Sequence, residues 1–436
     1  GGETNLSSTE SANVLSPELA LWDSNNQIIA AGSVFSSLLL SSGMTAAIYS
    51  SGILQSGILD SVATLSLASG ATVSALEIQG NSLFNMSSGG SVISAQLDDG
   101  ADITISSSQF LDSASVNSGA VLTVQANVTL SQVTVSSGGS LNLASGATSL
   151  SMDIKSGSVV TTSGAYISNV TVDSGGDLNI IYGPGSIGEQ DNVLSNITVL
   201  SSGIISAENV YLGGVDISSG AVITAGENSI IYPYEFNNDG TIIATSGGTV
   251  DGVNGNSGGS GQVIVSSGGE LSAASVFSGG TVTISSGGTL VRGDVEAGGE
   301  VFVSSGAVVS GVELQNSALF SVASGVEVIS ASLGSDSEFT ISSGQDFVDF
   351  VLSGGATLNV ESGAVLSGIT IESGSILNSE SGATVTDISY GSGMYLTAKS
   401  GQILSDEIFK NGGILSVISG GEADNIIISS GGILNI

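Results

Sequence analysis

Residues 285–325 read SSGGTLVRGDVEAGGEVFVSSGAVVSGVELQNSALFSVASG, and the Ser-Gly pairs in this stretch recur with a period of 19. The same pair stands at Ser267-Gly268, Ser286-Gly287, Ser305-Gly306, Ser324-Gly325, Ser343-Gly344, Ser362-Gly363, Ser381-Gly382, Ser400-Gly401 and Ser419-Gly420. A second turn position follows each Gly at an interval of 11, at Gly279, Gly298, Ser317, Asp336, Gly355, Gly374, Gly393, Gly412 and Gly431. Each repeat is thus an arc of 11 and an arc of 8, the signature of a stacked-repeat protein.

Columns read at this period show what the arcs bury. In the shorter arc Val282, Val301, Phe320, Phe339, Leu358 and Leu377 form one apolar column, and Ile284, Val303, Val322, Ile341 and Val360 form a second, two positions on. Residues two apart on a strand share a face, so this arc is a strand with one side inward and the other in water. The longer arc repeats the pattern with Leu271, Leu290, Val309, Val328, Phe347 and with Val276, Val295, Leu314, Leu333, Leu352. About five inward side chains give roughly 10 kcal/mol of gross burial per repeat. Ordering the backbone costs about 1–2 kcal/mol per residue, so one coil cannot stand alone and must stack on its neighbours. The chain is therefore expected to be all-β: a single-stranded, right-handed parallel β-helix (β-solenoid) of about 20 coils, each one 19-residue period. At the strand spacing such a stack would be on the order of 100 Å long.

The N-terminal half keeps the rhythm with more wear. Ser108 and Asn127 stand where Gly is expected; Asn tolerates the left-handed conformation, whereas Ser108 predicts a different local turn. The rhythm breaks at 182–193, around Pro184, and at 226–240, around Pro233, and both stretches read as insertions. The expected organisation is a cap region over residues 1–31, with Pro17 and Trp22, followed by a β-helix over 32–436. Ile436 is an inward position in mid-coil, which predicts that the natural assembly continues beyond it.

Composition narrows function. Thirty-nine acidic residues against four basic ones give a net charge of −35, which disfavours nucleic acid and anionic membranes as partners. Carboxylates spread over outward positions keep a β-rich surface soluble. Calcium between neighbours such as Asp98 and Asp99 is the sharper alternative, but the glycine-rich calcium-binding nonapeptide is absent, and neither a metal nor a cofactor is expected. Cysteine is absent, in keeping with export through an oxidising compartment. No run is long enough to cross a membrane and no signal peptide is present, so a mature or excised segment is expected. Histidine is absent, which excludes a Ser-His-Asp triad. Lys155, Arg292, Lys399 and Lys410 form no basic constellation of the kind a polysaccharide lyase needs, and Asp153, Asp173, Asp294 and Glu313 mark no hydrolase pair. An enzyme is not expected.

The units Ser285-Ser286-Gly287-Gly288-Thr289-Leu290 and Ser362-Gly363-Ala364-Val365-Leu366-Ser367-Gly368-Ile369 resemble the strand-loop-strand repeats of AIDA-type self-associating autotransporter adhesin passengers, over roughly residues 32–436. The resemblance implies a secreted, cell-surface β-solenoid exported across the bacterial outer membrane by type V secretion. Its expected partners are copies of itself on neighbouring cells, giving autoaggregation and biofilm, or a host surface receptor or glycan. It also implies a glycosyltransferase partner during biogenesis, which would make the chain a glycoprotein. The chain is richer in Ser and acid, and poorer in Asn, than the aggregating members it resembles.

The first-turn serines Ser267, Ser286, Ser305, Ser324, Ser343, Ser362, Ser381, Ser400 and Ser419 are the candidate O-glycosylation sites, and their hydroxyls equally suit a turn-holding role. Tyr232, Tyr234, Glu235 and Phe236 concentrate aromatics in a chain that has few and form the candidate binding loop, with folding back over the coils as the competing role. The leading expectation is an adhesin. A subunit of an extracellular filament or sheath is the alternative, and a glycan-binding spike or polysaccharide-active β-helix enzyme comes behind it.

Overall fold

Among the described residues the strands pair in parallel with the equivalent stretch one repeat later, with few interruptions, and the result is a parallel β-solenoid of about 19 turns. The computed structural model describes residues 26–182, 193–232, 238–252, 261–315, 317–390, 395–401, 403–405, 408–409 and 412–436. They fall into two units, Gly1–Ile223 and Thr224–Ile436, and each has the same internal plan.

In the first unit the shorter arcs stack as Asp102 over Val121, Ser140, Val159, Asp177 and Ile204. The longer arcs stack as Ile53 over Thr72, Ser91 and Phe110. Leu65, Leu122, Leu141, Val160 and Leu178 are buried inside, as period-2 alternation requires. In the second unit Thr281 lies over Glu300 and Leu319 in the shorter arc, and Thr289 over Val308 in the longer. The predicted inward columns are buried at Val282, Val301, Phe320 and Leu358. Phe320, Phe339, Phe347 and Phe350 run through this interior with ring centroids 6.2, 5.7 and 5.9 Å apart. The rings are tilted or edge-on, as aromatic quadrupoles prefer.

Three features depart from the sequence expectation. Ser108 does not make a different turn: its φ of 67° is the left-handed value that Asn127 shows at 63°. Gly89 N–H of the preceding coil donates to Ser108 O at 2.6 Å and holds the backbone there, at a strain cost of the order of 1 kcal/mol. Across 226–240 the register shows no added residues, because Asn228 N–H reaches Gly247 O and Ile230 pairs with Thr249, each one regular period on. Pro233 itself lies outside the described residues. Added length lies instead after Asp251, where Thr241 pairs with Gln262 and Thr249 with Glu270, each two positions beyond the regular period. The stretch around 182–193 does carry an insertion, since Asp177 pairs with Ile204, eight positions beyond that period. Residues 1–25 of the expected cap lie outside the described residues.

A third left-handed corner, not anticipated, interrupts the longer arc. It is occupied at the regular period by Ala273, Arg292, Gly311, Ser330, Asp349, Gly368, Asp387 and Asn425, with φ between 50° and 68°. At Ala273, Arg292 and Gly311 it lies inside one continuous strand, and from Ser330 onward the arc divides into two short strands, as in Asp346–Val348 and Val351–Leu352.

Candidate functional surface

The first turn explains its own Ser-Gly signature. Gly288 N–H donates to Ser285 O at 2.9 Å across a four-residue turn. Gly287, at the third position, takes a positive φ of 76°. A positive φ at that position of a hydrogen-bonded turn is the pattern of type II. Gly287 N–H then donates to Gly306 O of the next coil at 2.9 Å, so the ladder continues through the corner. At most of these turns, though not below Gly325, the serine beside the Gly aims at the Gly of the next coil. A Cβ placed on Gly363 would lie 2.7 Å from Ser343 Oγ, and one on Gly382 would lie 2.7 Å from Ser362 Oγ. A Cβ at these positions would meet the hydroxyl below it, in addition to the positive φ.

All nine candidate serines, Ser267 to Ser419, are exposed in one column along the second unit. Ser324 Oγ also donates to Gly344 O at 3.4 Å, a turn-holding contact. The column thus presents regularly spaced hydroxyls to solvent at a corner whose backbone is already hydrogen-bonded.

A shallow groove of about 440 Å³ lies along the third corner on the longer arc. Ala273, Gly311 and Ser330 floor it, and Arg292, Asp294 and Glu313 rim it. Asp294 and Glu313 pair in register on adjacent coils, so two acids that look isolated in sequence become neighbours. Both are exposed in an open groove. Arg292 Nη2 reaches Ser272 Oγ at 3.5 Å. Asp153 and Asp173 also converge: both bind Lys155, at 3.6 and 2.9 Å, and the hydrogen bond the ammonium donates to Asp173 leads the causes that raise its pKa.

The calcium reading finds Asp98 engaged by amides. Asn117 Nδ2 donates to one oxygen at 2.6 Å and Gln96 Nε2 to the other at 2.8 Å. Among the described residues no group of three His, Cys, Asp or Glu could hold a metal ion. Of the candidate loop, Tyr232 ends the strand Ile230–Tyr232, and its ring lies 3.0 Å from where a Cβ on Gly252 would stand. Tyr234, Glu235 and Phe236 lie outside the described residues, as does Lys410.

The class defined by these coils is the parallel β-solenoid with hydrogen-bonded turns. Among solved structures the chain is similar to a TibC-catalyzed hyper-glycosylated TibA fragment, at 20% identity over 83% of this chain and 98% of that one, with a TM-score of 0.34. It is also similar to PfbA, a surface adhesin of Streptococcus pneumoniae, at 11% identity over 84% of this chain and 82% of that one, with a TM-score of 0.12. No protein-family model matches the chain, and no curated protein matches it. No helix is long and apolar enough to cross a membrane among the described residues.

Proposed function

We propose that this chain is the passenger of a secreted bacterial surface adhesin that holds cells together by association between copies of itself. On this reading it is exported across the outer membrane, and some of its turn serines carry O-linked sugar added by a glycosyltransferase during biogenesis. The observation that carries the reading is the column of nine exposed serines, one per coil, on a solenoid whose interior is apolar. Such a surface offers repetition rather than a single pocket, and many weak contacts repeated at a fixed pitch give avidity.

Display of the chain on a non-aggregating cell tests this directly. Expected is settling of the culture with homotypic clumps in a mixed population of displaying and bare cells. Clumps that incorporate bare cells equally would point to a receptor on the cell rather than to a second copy, and long polymers of purified protein in electron micrographs would favour the filament. Intact mass after expression in a glycosylating host should exceed 42.7 kDa by sugar-sized increments. An unmodified mass would remove the glycoprotein component and leave the adhesin reading standing.

A further inference from the structure

The acids of the second unit are not spread evenly. Glu270, Asp294, Glu313, Glu327 and Asp346 face outward on the longer arc. On the shorter arc the outward positions are the first and third residues of each strand, and the charged ones there are Glu300 and Glu338. With Glu361 and Glu380 confined to the turns beside them, the described outward strand positions of that arc from Thr357 to Ser416 carry no charge. They instead carry two ladders. Ile376, Tyr395 and Ile414 stack in register, with Ile376 41% and Tyr395 44% exposed. Beside them stand Asn359, Asn378 and Thr397, where Asn378 Nδ2 donates to Asn359 Oδ1 at 3.0 Å and Asn359 Nδ2 to Glu338 Oε1 at 2.9 Å.

Resting on the homotypic reading above, we infer that this uncharged face of the shorter arc, centred on Tyr395, is where a second copy of the chain docks. Charge and apolar exposure together select the face: two copies at −35 each approach most easily where strand positions carry no carboxylate, which holds for both arcs of these coils, and only the shorter arc there stacks Ile and Tyr outward. Pitch selects the occupant. Apolar side chains repeated at the coil spacing form a comb, and an identical comb turned about a two-fold axis has the same spacing, so each tooth finds a gap along the whole contact. The amide ladder holds Asn359 and Asn378 in place before contact, which lowers the ordering cost of docking.

Sedimentation of the purified chain tests the face. Tyr395→Glu and Ile376→Glu, each placing like charges opposite one another across the two-fold, are expected to weaken self-association about tenfold or more. Val308→Glu, on the longer arc, is expected to leave it unchanged. Because the chain has no cysteine, Asn378→Cys introduces one thiol without disturbing the core, and diamide should convert it to a covalent dimer. Wild-type association matched by Tyr395→Glu, with no cross-link through position 378, would reject this face while leaving homotypic adhesion intact. A wild-type chain that stays monomeric at every salt concentration would reject both.

Discussion

At the first turn, two constraints act on one glycine and can be separated by mutation. Gly344 and Gly325 have the same φ, 79° and 80°, yet a Cβ on Gly344 would collide with Ser324 Oγ while nothing lies within 4 Å of one on Gly325. Gly325→Ala should therefore cost only the left-handed strain, roughly 1–2 kcal/mol. Gly344→Ala should cost measurably more in thermal unfolding, and adding Ser324→Ala should recover the difference; equal losses at both sites would show that φ alone governs the turn. Tyr182 gives a second residue-scale test, beside the break in the coil rhythm. It is buried, donates to Ala165 O, and desolvation pushes its pKa up from 10.0 to about 12. The unfolded chain ionises this phenol first, so the stabilisation is complete below about pH 10 and is lost as pH rises towards about 12, by roughly 2–3 kcal/mol. Lys155 acts in the same direction, since its raised pKa favours the folded state until the ammonium is titrated. Denaturation midpoints measured between about pH 9 and about pH 11.5 should fall less steeply for Tyr182→Phe than for wild type; parallel slopes would place the alkaline sensitivity elsewhere.

The elements show where periodicity ends and tertiary structure begins. The shorter-arc sheet is interrupted after Leu83–Met86 in the first unit and after Leu319–Val322 in the second. Each gap is bridged by a glutamine at the last position of the first turn. Gln109 accepts from Ser106 N–H at 2.6 Å and donates to Met86 O; Gln345 accepts from Ser342 N–H at 2.7 Å and donates to Val322 O. The side-chain amide substitutes for one missing ladder bond, which is why a polar residue is tolerated where Gly288, Ala307 and Ala364 stand in other coils. Gln345→Leu should leave the Ser342 N–H and Val322 C=O unsatisfied, at about 1–3 kcal/mol each, with amide exchange rising in the coils on either side. Unchanged exchange there would mean that water or a backbone shift fills the gap. The strands, their inward columns and the two Gly-rich turns were legible because Gly and apolar residues recur there at one period. The third corner was not, since Ala273, Arg292, Ser330 and Asp349 have no common side-chain chemistry and share only a backbone angle. Its legible trace was the polar run Asp349, Gly368, Asp387, Asn425, residue types that tolerate the left-handed region. Pro233 misled in the opposite direction: it suggested added length where the register has none, while the glycine-rich stretch after Asp251 concealed the two residues that are added. The serine column was visible in sequence, but its aim at the Gly of the next coil required coordinates.

For the whole molecule, net charge sets the balance between repulsion and contact. At −35 the repulsion between two copies extends over about a Debye length, ~30 Å at ~0.01 M salt and ~8 Å at ~0.15 M. Attraction through an uncharged comb of Ile and Tyr acts only at contact and weakens little with salt, because burial of apolar surface is not screened. Raising sodium chloride should therefore strengthen self-association and speed the settling of displaying cells. A contact built on ion pairs would behave in the opposite way, and the four basic residues give it few partners. Calcium at matched ionic strength separates a third case, in which carboxylates of two copies share a cation. The uncharged-face contact predicts equal association in sodium and calcium chloride once ionic strength is matched. Specific strengthening by calcium would shift the contact to acidic positions such as Asp294 and Glu313, and weakening by sodium chloride would overturn contact through the uncharged face altogether.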